Sequence, residues 1–212
     1  YGNGMRKIVF LLLLSLSYLC AQVVNVENIT HKKSGFTLEY HVDTTGLLDF
    51  EAIKKVAFTH KTLNPFSLGF LYRPVWFKLT LENDANVKKD MILSLEEVFY
   101  DSVNLYYDTP NNTKTVQKNG IGVDVYDRAI KHPDARFKIS LLAHEKRTLY
   151  IKTTTVFGVF GEILLYDAAY YYERFDTKTF TYTFYLGAVF VLAFFYLVLF
   201  FHFNCLNSDL KF

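Results

Sequence analysis

The sequence predicts an all-β ectodomain, an antiparallel jelly roll or β-sandwich, followed by one C-terminal transmembrane helix. Three observations support this prediction. Apolar and polar residues alternate with a period of two in several short segments, and clusters of turn-forming residues separate those segments. A long apolar run without charges lies near the C terminus. One-sided alternation is typical of antiparallel strands that have one face on a core and the other in water.

Two segments show the alternation most clearly. Segment 36–43 has an apolar face formed by Phe36, Leu38, Tyr40 and Val42. Segment 75–82 has an inward face formed by Val75, Phe77, Leu79 and Leu81. Further predicted strands are 91–95, 102–107, 136–142, 148–154 and 161–166. About seven such strands favour a sandwich or jelly roll. Helix is expected only at 50–56, after the candidate N-cap Asp49, and from about Ala169 into the membrane.

The N-terminal region has the composition of a secretory signal peptide, residues 5–21. Arg6 and Lys7 precede a short apolar stretch, and cleavage is expected after Ala21. Residues 1–4 precede the first Met and are excluded from the fold. Cys20 allows a lipoprotein alternative, which the bulky residue before it disfavours.

The C-terminal region contains the run FYLGAVFVLAFFYLVLFFHF at residues 184–203. Twenty helical residues span about 30 Å, the thickness of the hydrocarbon core of a bilayer. The transmembrane helix is therefore assigned to residues 182–204, with the lipid bilayer as a partner. Residues 205–212 are expected to be the start of a truncated cytoplasmic segment.

Between the two apolar ends, residues 22–176 are enough for one domain with its own core. The chain carries a formal net charge of only +2 at pH 7 and lacks a basic cluster, which disfavours nucleic acid as a partner. Cys20 and Cys205 both lie outside this segment. An internal disulfide and a zinc–thiolate site are therefore excluded.

No catalytic motif of the serine hydrolase, zinc protease or phosphate-binding kind is present. The six histidines are scattered without ligand spacing, so neither a metal nor a cofactor is predicted. Glu96 and Glu97 do not form a glycosidase pair, because adjacent residues on a strand point to opposite faces. The sequence therefore predicts that the protein is not an enzyme.

The first group of candidate ligand-binding residues surrounds the only Trp. Tyr72, Arg73 and Trp76 lie at the entrance of a predicted strand. An outward aromatic ring beside an Arg would stack on a sugar or bind a carboxylate. The alternative is that the second sheet or a covering loop buries Trp76.

The second group lies in the loop GIGVDVYDR at residues 120–128. This loop would present Asp124, Tyr126 and Arg128 to a ligand. The alternative is a structural ion pair from Arg128 to Asp124 or Asp127.

Several stretches resemble one receptor family. They are RPVWFKLTLEN at 73–83, DSVNLYY at 101–107, the loop 120–128, RTLYIK at 147–152, and the membrane entry at 185–187, 195–201 and 207–212. In this order and spacing, the chain resembles the periplasmic sensor region of bacterial seven-transmembrane receptors with diverse intracellular signalling modules (7TMR-DISM). The similarity is to their second type of extracellular domain and covers most of residues 43–212.

The resemblance implies a jelly-roll domain that binds carbohydrate or another small ligand in the periplasm, at the bacterial inner membrane. The domain would feed a seven-helix bundle and a cytoplasmic output domain. Six helices and the output are missing, so a truncated chain is expected, and homodimerisation is left open. One alternative is a single-pass anchored carbohydrate-binding or adhesion domain without signalling. Another is an anchored glycan-processing enzyme.

Overall fold

The computed structural model describes residues 23–111 and 113–209. The predicted signal peptide, residues 5–21, lies outside this described part. The chain divides after Ala168 into two compact units, a β domain and a helix.

The described residues form thirteen strands and two helices. The strands are β1 (Val23–Asn25), β2 (Lys32–Lys33), β3 (Thr37–Val42), β4 (His60–Leu63), β5 (Phe66–Ser67), β6 (Val75–Glu82), β7 (Lys89–Leu95), β8 (Ser102–Asp108), β9 (Lys114–Asn119), β10 (Ala135–Leu141), β11 (Lys146–Thr154), β12 (Phe160–Gly161) and β13 (Ile163–Asp167). The helices are α1 (Phe50–Ile53) and α2 (Ala168–Asp209).

The strands assemble into two main sheets and one small sheet. The larger sheet has seven strands. Six of them follow the order β4-β3-β6-β11-β8-β9, and the seventh, β1, pairs with the end of β6 on the same side as β3. The second sheet has the order β10-β7-β13-β2, and β5 pairs with β12. Every pairing is antiparallel except that of β1 with β6. The predicted all-β, mainly antiparallel sandwich is confirmed.

The two main sheets enclose one hydrophobic core. The alternation predicted for β6 is confirmed, since its four inward side chains are at most 1% exposed. In the segment that contains β3, Phe36 and Leu38 are buried, while Tyr40 and Val42 pack against the core. The facing sheet contributes the inward residues of β7, β10 and β13. Full burial of each large apolar side chain contributes roughly 1.5–3 kcal/mol, so this core is the main source of stability.

The two ends of the sandwich differ. One end, which we call the turn end, carries the short connections 83–88 and 142–145. Strand β13 also ends there, because its last residue, Asp167, pairs with Met91 near the start of β7. The other end, the loop end, carries the longer segments 96–101, 120–134 and 155–159. Binding residues are concentrated on loops that a rigid scaffold positions, so the loop end is the natural place for a site.

A strap, residues 43–58, covers part of the outer face of the larger sheet. It contains α1, whose N-cap Asp49 accepts a hydrogen bond from the N–H of Ala52 at 2.8 Å. Phe50 and Ile53 are buried with Trp76 in a second, smaller core. The short helix predicted after Asp49 is therefore confirmed, and it is the element that closes this face.

Asp43 fixes the start of the strap. Its Oδ1 accepts hydrogen bonds from the Thr45 hydroxyl at 2.7 Å and the Gly46 N–H at 2.8 Å, and its Oδ2 accepts one from the Leu48 N–H at 2.9 Å. Burial by itself would raise the pKa of Asp43, but these hydrogen bonds, with the nearby charge of Lys152, hold the pKa below its ordinary value of 3.8. Asp43 is thus a buried carboxylate that stays ionised.

Helix α2 forms the second unit. Its stretch Phe180–Phe201 has 22 residues and a mean hydropathy of 2.5, and it is the single helix in the described residues long and apolar enough to cross a bilayer. Its side chains there are not buried, as a lipid-facing helix requires. The predicted apolar helix at the C terminus is present.

Candidate functional site

Trp76 is completely buried beneath the strap. Its ring centre lies 5.4 Å from that of Tyr106, and the Nζ of Lys152 lies 5.1 Å from the ring centroid. Its Nε1 makes no hydrogen bond within the described structure. Of the two alternatives for Trp76, burial by a covering segment is the one found, because strand β6 is covered on both faces. With the strap in place, this ring cannot contact a ligand at the surface.

Tyr72 and Arg73 are exposed at the loop end. They precede β6, whose first residue, Val75, pairs with Thr153 near the end of β11. Tyr72 is 77% exposed. The structure therefore separates this pair from Trp76, although the three residues are close in sequence.

The loop after β9 is tied down at both of its ends. The side chain of Asn119, fully buried, accepts a hydrogen bond from the Gly120 N–H at 2.7 Å and donates one to the Ile130 carbonyl at 3.4 Å. The Ala129 N–H donates to the Lys118 carbonyl at 3.1 Å. The loop is therefore held against β9 rather than projecting freely from it.

Arg128 lies inside this loop and binds its backbone. Its Nε donates to the Val123 carbonyl and its Nη1 to the His132 carbonyl, both at 3.1 Å. No ion pair from Arg128 to Asp124 or Asp127 is present in the described part of the chain. The guanidinium thus shapes the loop through carbonyl groups, and it is half-buried rather than presented to solvent.

Gly120→Ala should destabilise the domain by more than about 2 kcal/mol. Gly120 has φ +122°, and a Cβ there would lie 2.6 Å from the carbonyl oxygen of Asp101 and 2.7 Å from the Cα of Ser102. Gly35→Ala is the matched control, since Gly35 also has positive φ (+72°) but a methyl group there would have no other residue within 4 Å. Urea unfolding of both variants measures the difference, and equal losses would contradict a steric cause.

An open cavity of about 580 Å³ lies between β9 and the loop. Its walls are formed by Val116, Gln117, Lys118, Gly122, Val123, Asp124, Asp127 and Ala129. This volume lies in the range of small-molecule sites, roughly 300–1,000 Å³. Asp124 is the one predicted residue that lines the cavity, together with Asp127; the walls do not include Tyr72, Arg73, Trp76, Tyr126 or Arg128.

The chemistry of the cavity is that of a polar, weakly acidic site. The carboxylate of Asp124 accepts a hydrogen bond from the Tyr126 N–H at 2.8 Å, and its second oxygen has no hydrogen-bond partner among the described residues. Tyr126 is 83% exposed, with the Nζ of Lys131 at 4.8 Å from its ring centroid, and it does not line the cavity. Among the described residues, no group of His, Cys, Asp and Glu is arranged to hold a metal ion. The carboxylate oxygens of the cavity can accept hydrogen bonds from the hydroxyl groups of a ligand.

Sequence reasoning missed the contribution of β9. Its residues, KTVQKN, have no apolar alternation, so they give no signal for a strand that forms a cavity wall. It also missed a set of exposed aromatic side chains at the loop end, Phe70, Phe99 and Phe157. Glycines next to two of them, Gly69 and Gly158, are the one signal that could have indicated exposed loop positions.

The β domain is matched by a family model for extracellular domains, and it is followed by an apolar helix long enough to cross a bilayer, which together indicate a membrane-anchored protein with an extracytoplasmic N-terminal domain. The family model for 7TMR-DISM extracellular 2 matches residues 35–162, more than half of the chain. The chain belongs to this family of receptor extracellular domains. No curated protein matches it.

Three solved structures show weak likeness, each with 11% sequence identity. A CBM35 module from Cellvibrio japonicus has a TM-score of 0.26 over 65% of this chain and 88% of its own. The enzymatically active domain of bacteriophage CBA120 tailspike protein 4 has a TM-score of 0.26 over 66% of this chain and 19% of its own. A carbohydrate-binding module of the β-sandwich superfamily has a TM-score of 0.25 over 70% of this chain and 62% of its own. At these TM-scores, the likenesses carry no conclusion about a ligand.

Proposed function

We propose that this chain is the ligand-sensing input domain of a membrane signalling receptor, non-catalytic and located in the periplasm at the bacterial inner membrane. The observation that carries the proposal is the cavity beside β9, in a domain that belongs to a receptor extracellular family. Binding in the cavity would shift the receptor between two states. The size of the shift is limited by the difference in ligand affinity between those states.

The ligand class we propose is a neutral carbohydrate or a similar polyol. Asp124 and Asp127 line the cavity and supply acceptors for hydroxyl groups, and the exposed Tyr126 lies between them in the sequence. Two carboxylates against one cation, Lys118, disfavour a uronic acid in the same cavity because the like charges would repel. Arg128 contributes by holding the loop in shape, through the carbonyl hydrogen bonds described above.

Asp127→Asn should weaken sugar binding by about tenfold or more, since a hydrogen bond to a charged acceptor contributes roughly 1.5–3 kcal/mol. The full chain is placed in lipid nanodiscs and titrated with neutral monosaccharides and disaccharides, with the melting temperature of the β domain as readout. Glu27→Gln, which removes an exposed carboxylate outside the cavity, is the control.

Two results would contradict the proposal. If none of the sugars raises the melting temperature, the carbohydrate class is wrong. If a sugar binds the Asp127→Asn chain as tightly as the parent, the cavity is not its site. The receptor role is tested separately by the coding sequence that follows Phe212, where further apolar segments and a signalling domain are expected.

A further inference from the structure

Four exposed aromatic side chains are gathered at the loop end. Phe70 and Tyr72 lie in the segment before β6, Phe99 lies in the segment after β7, and Phe157 lies in the segment after β11. Their exposures range from 49% to 77%. We call these four residues the aromatic patch. None of them lines the cavity beside β9.

Hydrogen bonds join the segments that carry the patch. The Val159 N–H donates to the Gly69 carbonyl and the Leu68 N–H donates to the Val159 carbonyl, both at 2.8 Å. The Thr155 hydroxyl donates to the Phe99 carbonyl at 2.9 Å, and the rings of Phe99 and Phe157 have centres 5.6 Å apart. These bonds fix the backbone of the segments that carry the patch, which lowers the entropy lost when a partner binds.

The patch is as large as the largest apolar patches on ordinary monomers. An aromatic side chain has about 150–250 Å² of surface, so these four rings expose on the order of 500 Å² of apolar area. The exposed side chains of Val98, Ile121 and Val156 lie in the same or adjoining loop-end segments. With them, the apolar area approaches the roughly 800 Å² that each partner contributes to a standard protein interface. The largest patches on ordinary monomers are about 300–600 Å².

The charges around the patch have both signs. Arg73 is exposed next to Tyr72, and Glu97 and Asp101 flank the segment that carries Phe99. In a two-fold symmetric contact, a residue of one copy faces a different residue of the other copy, and the reverse pair forms as well. A rim with both signs of charge is therefore self-complementary. The two acids also disfavour an anionic lipid surface as the occupant.

We propose that the aromatic patch is the surface through which two copies of this chain associate. The contact would be isologous, with the four rings at its centre and Arg73 of one copy facing the acidic rim of the other. This inference is independent of the ligand proposed for the cavity, because the patch and the cavity share no residue. It assigns Tyr72 and Arg73 to a protein interface.

The test compares two valines with the same exposure. Val156, beside the patch, and Val87, at the turn end, are each 65% exposed. The full chain in detergent micelles is measured by light scattering over a range of concentrations. We expect a monomer–dimer equilibrium that Val156→Asp weakens by about tenfold or more and that Val87→Asp leaves unchanged, since a buried unpaired charge strongly opposes association. Circular dichroism verifies that both variants are folded.

A second measurement keeps the test independent of folding effects. A photo-crosslinking side chain at position 157 should join two copies of the chain, whereas the same group at position 87 should not. The proposal is overturned if the parent chain is monomeric at every concentration, or if Val156→Asp dimerises as tightly as the parent, which would place the contact in helix α2. It is also overturned if position 157 crosslinks only to lipid in vesicles of neutral composition.

Discussion

Replacing Trp76 with alanine is expected to destabilise the β domain by about 3–5 kcal/mol, the range for removing a fully buried large aromatic side chain. Trp76 lies between β6 and the strap, where Phe50 and Ile53 are also buried. Its removal would leave a cavity under a segment that has no strand pairing of its own. Because the variant has no other Trp, urea unfolding is followed by far-ultraviolet circular dichroism.

Trp76→Phe is the control for this experiment. The indole Nε1 makes no hydrogen bond within the described structure, so losing it leaves no partner unsatisfied. The cost should be about half that of the alanine variant or less, since only part of the ring volume is lost. Equal stability of the alanine variant and the parent would contradict the buried position of Trp76.

Asp43→Ala is expected to destabilise the domain by about 3 kcal/mol, because hydrogen bonds to a charged group contribute roughly 1.5–3 kcal/mol each and are not additive. The substitution removes the acceptor for the hydroxyl of Thr45 and the N–H groups of Gly46 and Leu48. The strap would lose its fixed start, and Trp76 beneath it would become more accessible to water. Trp76 fluorescence during urea unfolding reports both effects, as it is the single Trp of the chain.

The same residue gives an expected dependence on pH. Because the pKa of Asp43 is lower in the folded state than its ordinary value of 3.8, its stabilising effect is complete above that value. The effect is lost as the pH falls below 3.8 through the folded-state pKa. Asp43→Asn should remove this part of the acid dependence while keeping one acceptor oxygen. An unchanged acid profile in Asp43→Asn would show that other carboxyl groups dominate.

The strands that form the core could be predicted because apolar and polar residues alternate along a strand when one of its faces is buried and the other is exposed. In β6, Phe77 and Leu79 are inward and lie on the face that the pattern indicates. The other face of the same strand carries Trp76, and there the pattern fails. Whether a loop covers this second face depends on contacts that are remote in sequence, so the burial of Trp76 cannot be predicted from the alternation.

The candidate site could be predicted only in part. Asp124 can be identified because a glycine-rich loop with polar side chains is typical of a presented surface. The position of Arg128 inside the loop depends on where the carbonyls of Val123 and His132 point, which no sequence pattern encodes. The wall formed by β9 was missed because a polar edge strand has almost the composition of a loop.

The pairing of distant strands has a consequence for export across the membrane. β6 pairs with β11, about seventy residues later in the chain, and β7 pairs with β13 at a similar separation. A chain that emerges from a translocation channel with its N terminus first therefore exposes unpaired edges of both sheets until its final strands have crossed. Contacts between residues that are far apart in sequence form slowly, and unpaired strand edges are prone to aggregation in the meantime. We therefore expect a domain of this topology to benefit from holding chaperones until its last strands are available.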